Sequence, residues 1–153
     1  MSDWEASEGE HWATNADRYT RMLAGFGDIV STAAAYAPGE RVLDVGRGNG
    51  DLTLRAARAV GESGSVHGVD LSPAMLSVAS GRAADAGLGN VTFDAADAAA
   101  FQPDSAGFDV VVSRFGMMFF DDPTAAFAHT RSLMAPGGRL AFVCWQDLMA
   151  AMT

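Results

Sequence analysis

Arg41-Val42-Leu43-Asp44-Val45 reads as a strand, Gly46-Arg47-Gly48-Asn49-Gly50 as a tight loop, and Asp51 to Val60 as a helix. A strand that turns through glycines directly into a helix needs a second strand beside the first, because neither element buries its apolar surface alone. The second strand follows at Val66-His67-Gly68-Val69-Asp70. The chain therefore opens a βαβ unit at residue 41, and this limits what the remainder can do.

The remainder keeps the alternation. Ser72 is a good N-cap with Pro73 in the first helical position, and the helix it opens runs to about Ala86, where Gly87 and Gly89 stop it. Val91 to Asp94 is a short strand, Phe108 to Ser113 a longer one, and Asp122-Pro123 starts a helix to about Met134. Pro136-Gly137-Gly138 reads as a turn and Arg139 to Trp145 as the last strand. Ahead of the core, residues 8–21 form a polar helix pattern. A second helix over 22–36 has Leu23, Phe26, Val30, Ala33 and Ala37 at helical spacing, ended by Pro38-Gly39. Strands alternating with helices imply an α/β fold: a three-layer, doubly wound, mostly parallel sheet of about five strands. Ligands of such sheets sit outside the carboxyl ends of the strands, where the strand order reverses.

Composition narrows the function. At 153 residues this is one domain. A net charge of −9 argues against a nucleic-acid partner and against polybasic attachment to a membrane. No apolar run is long enough for a membrane span, and the segment MSDWEASEGEHW is too acidic for a signal peptide. With a single cysteine, Cys144, there is neither an internal disulfide nor a cysteine-rich zinc site, so the expectation is a cytoplasmic protein. All ten basic residues other than histidine are arginine, which removes lysine as a Schiff-base nucleophile or phosphate ligand.

The chemistry gathers at strand ends. Glycines in the 46–50 loop permit unusual dihedrals and close approach of a ligand, and the following helix start adds amide donors. Asp70 ends the second strand twenty residues past Gly50, where a carboxylate accepts hydrogen bonds from a ribose diol. Its other reading is a helix cap, a role that Ser72 fills better. A dinucleotide fingerprint would need a glycine at position 51, where this chain has Asp51, an acid that repels a pyrophosphate. The loop thus favours a ribose-bearing ligand without phosphate. S-adenosylmethionine is one, and Asp44 stands near as an acceptor for its amino group.

The stretches VLDVGRGNG, VDLSPAML, DAAD, FDVVVSRFGMMFF and LMAPGGRLAFVCW, in this order and spacing, resemble class I S-adenosylmethionine-dependent methyltransferases. Within that superfamily they are most similar to the ubiquinone/menaquinone-biosynthesis-like (UbiE-type) small-molecule group. The resemblance covers roughly residues 40–146. It implies a Rossmann-like fold with S-adenosyl-L-methionine as cofactor and methyl transfer to a small-molecule acceptor. Position by position, it implies that Asp44, Gly46, Arg47 and Gly48 line the methionine end. Asp70 would hold the ribose, Leu71 would pack on adenine, and Met75 would add an apolar wall. Asp97 would accept from the adenine amine, and the Ala98 amide would reach a ring nitrogen. Ser113 and Arg114 would meet the amino-acid end through their backbone, and Phe115 would shape the floor under the methyl group. Residues 1–37, with Trp4, Trp12, Tyr19 and Met22, would form a lid; the alternative is plain packing on the sheet.

The sequence departs from the family in three places. Arg47 stands where the family usually has a small residue, with three outcomes open: turning to solvent, pairing with the ligand carboxylate, or repelling the sulfonium. Asn49 replaces a frequent threonine. The family's sheet has seven strands, the last ones antiparallel, and this sequence runs only eight residues past its fifth. The expectation is an apolar edge at Arg139 to Trp145, and with it a homodimer through the last strand, aggregation, or a longer parent chain. Two other functions stay open: a cofactor-binding remnant without turnover, and a nicotinamide-dependent oxidoreductase. His11, His67 and His129 lie on different elements and suggest no metal site. Cys144 reads as a buried, inert thiol. Met117, Met118, Phe119 and Phe120 read equally as an acceptor pocket or as packing.

Overall fold

The structure is a computed structural model and describes residues 16–46, 50–118 and 120–144. The elements are α1 (Ala16–Ala34), β1 (Arg41–Val45), α2 (Asp51–Val60), β2 (Ser65–Asp70), α3 (Pro73–Asp85), β3 (Val91–Ala95), β4 (Phe108–Arg114), a 3-10 turn (Gly116–Met118), α4 (Pro123–Ser132) and β5 (Met134–Val143). Five strands form one sheet in the order β3-β2-β1-β4-β5, and every pairing is parallel. The α/β expectation holds. The order reverses between β1 and β4, so the chain leaves β1 for α2 on one face of the sheet and β4 for α4 on the other, and this architecture places ligands at the carboxyl ends beside that reversal.

The alternation of side chains along each strand separates two cores. Val42, Val66, Val110, Val112 and Ala141 face α1 and α2, where they meet Val30, Ala34, Leu52, Ala56 and Val60. Leu43, Val45, Val69 and Val111 face the other way, onto Phe101, Met117, Phe120, Ala126 and Leu133. Val110, Val111 and Val112 are each 0% exposed, and burying a side chain of this size contributes about 1.5–3 kcal/mol. Local signals hold where the sequence read them. Ser72 caps α3 by accepting from the Met75 amide, and Asp122 caps α4 by accepting from the Ala125 amide.

Several expectations are corrected. From residue 16 onward the two N-terminal helices are one, α1, and it ends at Ala34, ahead of Pro38-Gly39. Ala35 takes a left-handed φ of 49°. The freed carbonyls are satisfied from a distance: Arg139 donates from Nε to Ala34 O at 2.7 Å and from Nη2 to Ala35 O at 3.0 Å. Pro136-Gly137-Gly138 is no turn between elements but a bulge inside β5. Phe108 pairs with Met134 and Val110 with Arg139, so the intervening β5 residues bow outward. Cys144 is exposed, just past the strand. Met117 and Phe120 are core residues, whereas Met118 is 38% exposed. Trp4, Trp12, Trp145 and Phe119 lie outside the described residues, as do the side chains of Tyr19, Met22 and Leu23.

No helix among the described residues is long and apolar enough to cross a membrane. β5 ends the sheet order, and its Phe142 is 41% exposed while packing on Phe127 of α4.

Arg139 also forks onto Glu40, with both guanidinium–carboxylate bonds at 2.8 Å. This pairing holds the Glu40 carboxyl below its usual range. A depressed carboxyl adds stability above its unfolded value near 4.3, and that stability is lost as the pH falls through the lower folded value. Glu40→Gln is therefore expected to lower stability by about 0.5–1 kcal/mol at pH 7. Urea unfolding at falling pH checks this, since the difference between the chains narrows as Glu40 takes up its proton.

Candidate functional site

The carboxyl ends of β1 and β4 touch backbone to backbone. Gly46, with φ of 61°, lies so near Gly116 that a Cβ on Gly46 would come within 2.8 Å of the Gly116 Cα. Ser113 fixes this contact. Fully buried, it donates from Oγ to Val45 O at 2.8 Å and accepts from the Gly116 amide at 3.0 Å. Between them Phe115 has φ of 67°, a conformation costly for an aromatic residue and commonest at functional sites. Its ring meets Phe26 of α1 edge-on, with centroids 5.2 Å apart.

Three charged side chains share one sheet face at this end. Asp44 is in register with Val112 and with Gly68. Arg114 and Asp70 are the next residues on that face of β4 and β2, so they flank Asp44 diagonally. Asp44 is 0% exposed, and its Oδ2 accepts from the Thr53 hydroxyl at 2.6 Å. Asp70 is 4% exposed, and its Oδ1 accepts from the Ser72 amide at 2.9 Å. Both readings of Asp70 had weight, and the structure gives the cap of α3 to Ser72, with Asp70 bracing the turn that leads into it.

The other sequence-derived residues are more scattered. Leu71 is half-buried beside Asp70, and Met75 is enclosed at 1% exposure. Asp97 is exposed after β3, with Oδ1 accepting from the Ala99 amide at 2.9 Å. Ala98 packs against the α4-side core. Arg47 and Gly48, like Asn49, lie outside the described residues. Gly50 serves packing: with φ of 90°, its Cβ position would lie 2.9 Å from the Ala79 side chain of α3.

The sequence reading missed five residues. Thr53 anchors Asp44, and Gly116 makes the backbone contact. Arg55 pairs with Asp28 and lies 3.3 Å from Asp51. Gly27 lets α1 approach Arg55 and Arg114, each 3.3 Å from its Cβ position. Tyr36 packs on the α1-side core, where burial and then the charge of Asp44 push its phenol up. Only the Asp51–Arg55 pair, at helical i,i+4 spacing, was visible as a pattern. Asp51 itself is corrected: its charge is matched by Arg55 and by Arg114, 3.2 Å away. Repulsion of a pyrophosphate is thus a weaker argument than the missing glycine.

Comparison with known proteins adds a family match, two curated relatives and a solved structure. Residues 42–138 match the family model described as a methyltransferase domain. Aklanonic acid methyltransferase DauC of Streptomyces sp. (strain C5) is 38% identical over 104 residues, 68% of this chain and 47% of that protein. The ubiquinone/menaquinone biosynthesis C-methyltransferase UbiE of Teredinibacter turnerae is 40% identical over 104 residues, 67% of this chain and 42% of that protein. This chain thus spans a little under half the length of these curated relatives. A crystal structure of a SAM-dependent methyltransferase from Aquifex aeolicus superposes with a TM-score of 0.71 at 23% identity, covering 78% of this chain and 64% of that one, a likeness of fold.

Proposed function

Because the chain belongs to the methyltransferase domain family, we propose that it binds S-adenosylmethionine at the carboxyl ends of β1, β2 and β4 and serves methyl transfer to a small-molecule acceptor. The observation that carries this is the backbone contact of Gly46 with Gly116, flanked by the buried carboxylates Asp44 and Asp70. The residues fit the ligand. A Cβ at Gly46 would fill the junction, the glycine backbone suits close approach, and two carboxylates suit an ammonium group and a ribose diol.

In this reading Asp44, oriented by Thr53, accepts from the ammonium group, and Gly46, Arg47 and Gly48 are assigned to the methionine end. Asp70, braced by the Ser72 amide, accepts from the ribose hydroxyls, since a carboxylate oxygen holding one N–H retains a second lone pair. Leu71, Met75, Asp97 and Ala98 are assigned to the adenine end, and the backbone of Ser113 and Arg114 to the amino-acid end. S-adenosylmethionine, when bound, supplies a methyl group that its sulfonium activates toward a nucleophile. What the chain adds is alignment and exclusion of water, which suit a reaction that consumes positive charge. Phe115 and Phe26 form an apolar wall beside that position. Residues 1–37 are assigned as a lid over a core at 40–146 in one domain, supported by the seating of α1 on Phe115 and Arg114. The acidic charge and single cysteine favour a cytoplasmic protein. β5 at the sheet edge favours a homodimer through that strand, which sedimentation of the chain tests.

Calorimetric titration of the chain with S-adenosylmethionine, S-adenosylhomocysteine and NAD tests the ligand. Micromolar binding, about −8 kcal/mol, is expected for the first two and none for NAD. A folded chain that binds neither sulfur compound overturns the reading. Binding without turnover over a panel of acceptors reduces it to a cofactor-binding module.

A further inference from the structure

The chain between β3 and β4, residues 96–107, has neither helix nor strand, yet two of its residues, Asp97 and Ala98, are assigned to the adenine end. Its two ends are fixed by hydrogen bonds. The Ala96 amide donates to Asp70 O at 2.9 Å, and Arg41 donates to Ala106 O at 2.8 Å and to Ser105 O at 3.0 Å. Between these ends stands Phe101, 6% exposed and held by two imidazoles. Its ring lies flat on that of His67 of β2, with centroids 5.1 Å apart and planes 11° from parallel. His67 is itself tied to the edge strand: Nε2 lies 3.0 Å from Asp94 Oδ2 and Nδ1 lies 2.5 Å from Thr92 Oγ1, both on β3. The Phe101 carbonyl oxygen lies 2.6 Å from His129 Nε2, in the last turn of α4. A carbonyl only accepts, so this nitrogen carries a proton. Ring and carbonyl are thus held by different elements, β2 and α4. Neighbours on both sides of Phe101 line one cleft of about 300 Å³: Asp97 and Ala100 before it, Gln102 after it, with Asp94 and Ala96 at the end of β3. The Ala100 amide donates to Asp97 O at 3.0 Å and the Ala99 amide to Asp97 Oδ1 at 2.9 Å. The turn that ends against Phe101 therefore also aims the Asp97 carboxylate.

We propose that Phe101 is a positioning residue for the base end of the ligand: clamped between His67 and His129, it holds the turn at 97–100 and sets the rim of the cleft. This rests on the S-adenosylmethionine reading only where Asp97 accepts from the adenine amine. A segment without regular structure takes its order from side-chain contacts to the rigid elements beside it. A carboxylate tells one base from another only when it is held within about 0.5 Å of its productive place. The two halves of the clamp separate by substitution. Phe101→Leu keeps an apolar side chain and the carbonyl but loses the stacked ring. His129→Leu loses the donor to the carbonyl, and His129→Gln keeps an N–H donor near the place of Nε2.

The test has two readouts. The first is backbone NMR relaxation of the ligand-free chain. Native residues 97–102 are expected to show order parameters of about 0.85, as rigid elements do, and both leucine variants values below about 0.6 there, with β1 and β4 unchanged. His129→Gln keeps the native values. The second readout is calorimetry with S-adenosylhomocysteine and S-inosylhomocysteine, in which an oxo group replaces the adenine amine and Asp97 meets an acceptor. The native chain is expected to favour the adenine compound by about tenfold or more. In the leucine variants the preference falls to about twofold through weaker binding of S-adenosylhomocysteine alone, and His129→Gln restores it. A general loss of structure would instead weaken both compounds together and leave their ratio. Folded leucine variants that keep the native preference overturn the proposal, whatever their order parameters. A native chain that binds both compounds alike also overturns it and leaves the S-adenosylmethionine reading intact. Should both leucine variants fail to fold by circular dichroism, a long-range proton–nitrogen spectrum of the native chain decides. A neutral His129 ring with its proton on Nε2 supports the clamp, and one protonated only on Nδ1 overturns it. A native chain that binds neither compound removes the S-adenosylmethionine reading, and the order parameters still decide whether Phe101 and His129 hold the segment.

Discussion

Gly116→Ala is expected to destabilise the chain by about 2–4 kcal/mol and to abolish binding of S-adenosylhomocysteine. The added Cβ would overlap the Val45 carbonyl oxygen and come 2.7 Å from Ser113 Oγ and 2.9 Å from the Gly46 Cα. Two of these three neighbours are backbone, so no rotamer change relieves the clash. The β4 loop must retreat, and the Ser113 hydroxyl, 0% exposed, then loses the geometry that ties it to Val45 and to the Gly116 amide. A domain of this size loses roughly 2–4 °C of melting temperature per kcal/mol, which makes the drop plain in a calorimetric scan. Gly81→Ala is the control. Gly81 lies inside α3 with nothing within 4 Å of its Cβ position, so alanine there should raise stability by up to about 1 kcal/mol. Equal responses at the two positions would mean that the Gly46–Gly116 contact carries no strain of its own.

The contrast between these glycines marks what local sequence can convey. Gly46 was legible because it follows a strand and precedes a helix. Gly116 was not, since its constraint comes from Val45, distant in sequence and brought near only when β1 pairs with β4. The caps Ser72 and Asp122 were legible for the opposite reason: each bonds an amide three residues on, so proline and side-chain chemistry suffice. Pro136-Gly137-Gly138 misled because bulges and turns draw on the same residues. What keeps that segment beside β4 is close approach: a Cβ on Gly138 would come 3.1 Å from Phe108 O and 3.3 Å from Asp109 O. Cys144 misled because an apolar strand was extended past its last residue, Val143. At the site, Asp44 and Asp70 followed from strand ends. The cation beside Asp44 and Asp51 comes from Arg114 on an adjacent strand, and no spacing announces their meeting.

Asp70 separates the structural reading from the ligand reading more sharply than any other residue. Its Oδ1 accepts from the Ser72 amide at 2.9 Å, ahead of the cap that Ser72 makes on Met75. Asp70→Ala removes that brace and the ligand contact together. Its expected loss is about 1–3 kcal/mol in S-adenosylhomocysteine affinity, with a melting temperature several degrees lower. Asp70→Asn keeps an oxygen for the Ser72 amide and exchanges the other for a donor that a hydroxyl hydrogen cannot approach. It should melt near the native temperature and still bind ten- to a hundredfold more weakly. A 2′-deoxyribose analogue of S-adenosylhomocysteine completes a double-mutant cycle. If Asp70 holds the diol, the analogue binds the native chain more weakly, and Asp70→Asn weakens it little further, because the contact is already gone. Additive losses would place Asp70 away from the ribose. Native affinity in Asp70→Asn would leave this carboxylate a turn brace for α3, and the diol would need another acceptor.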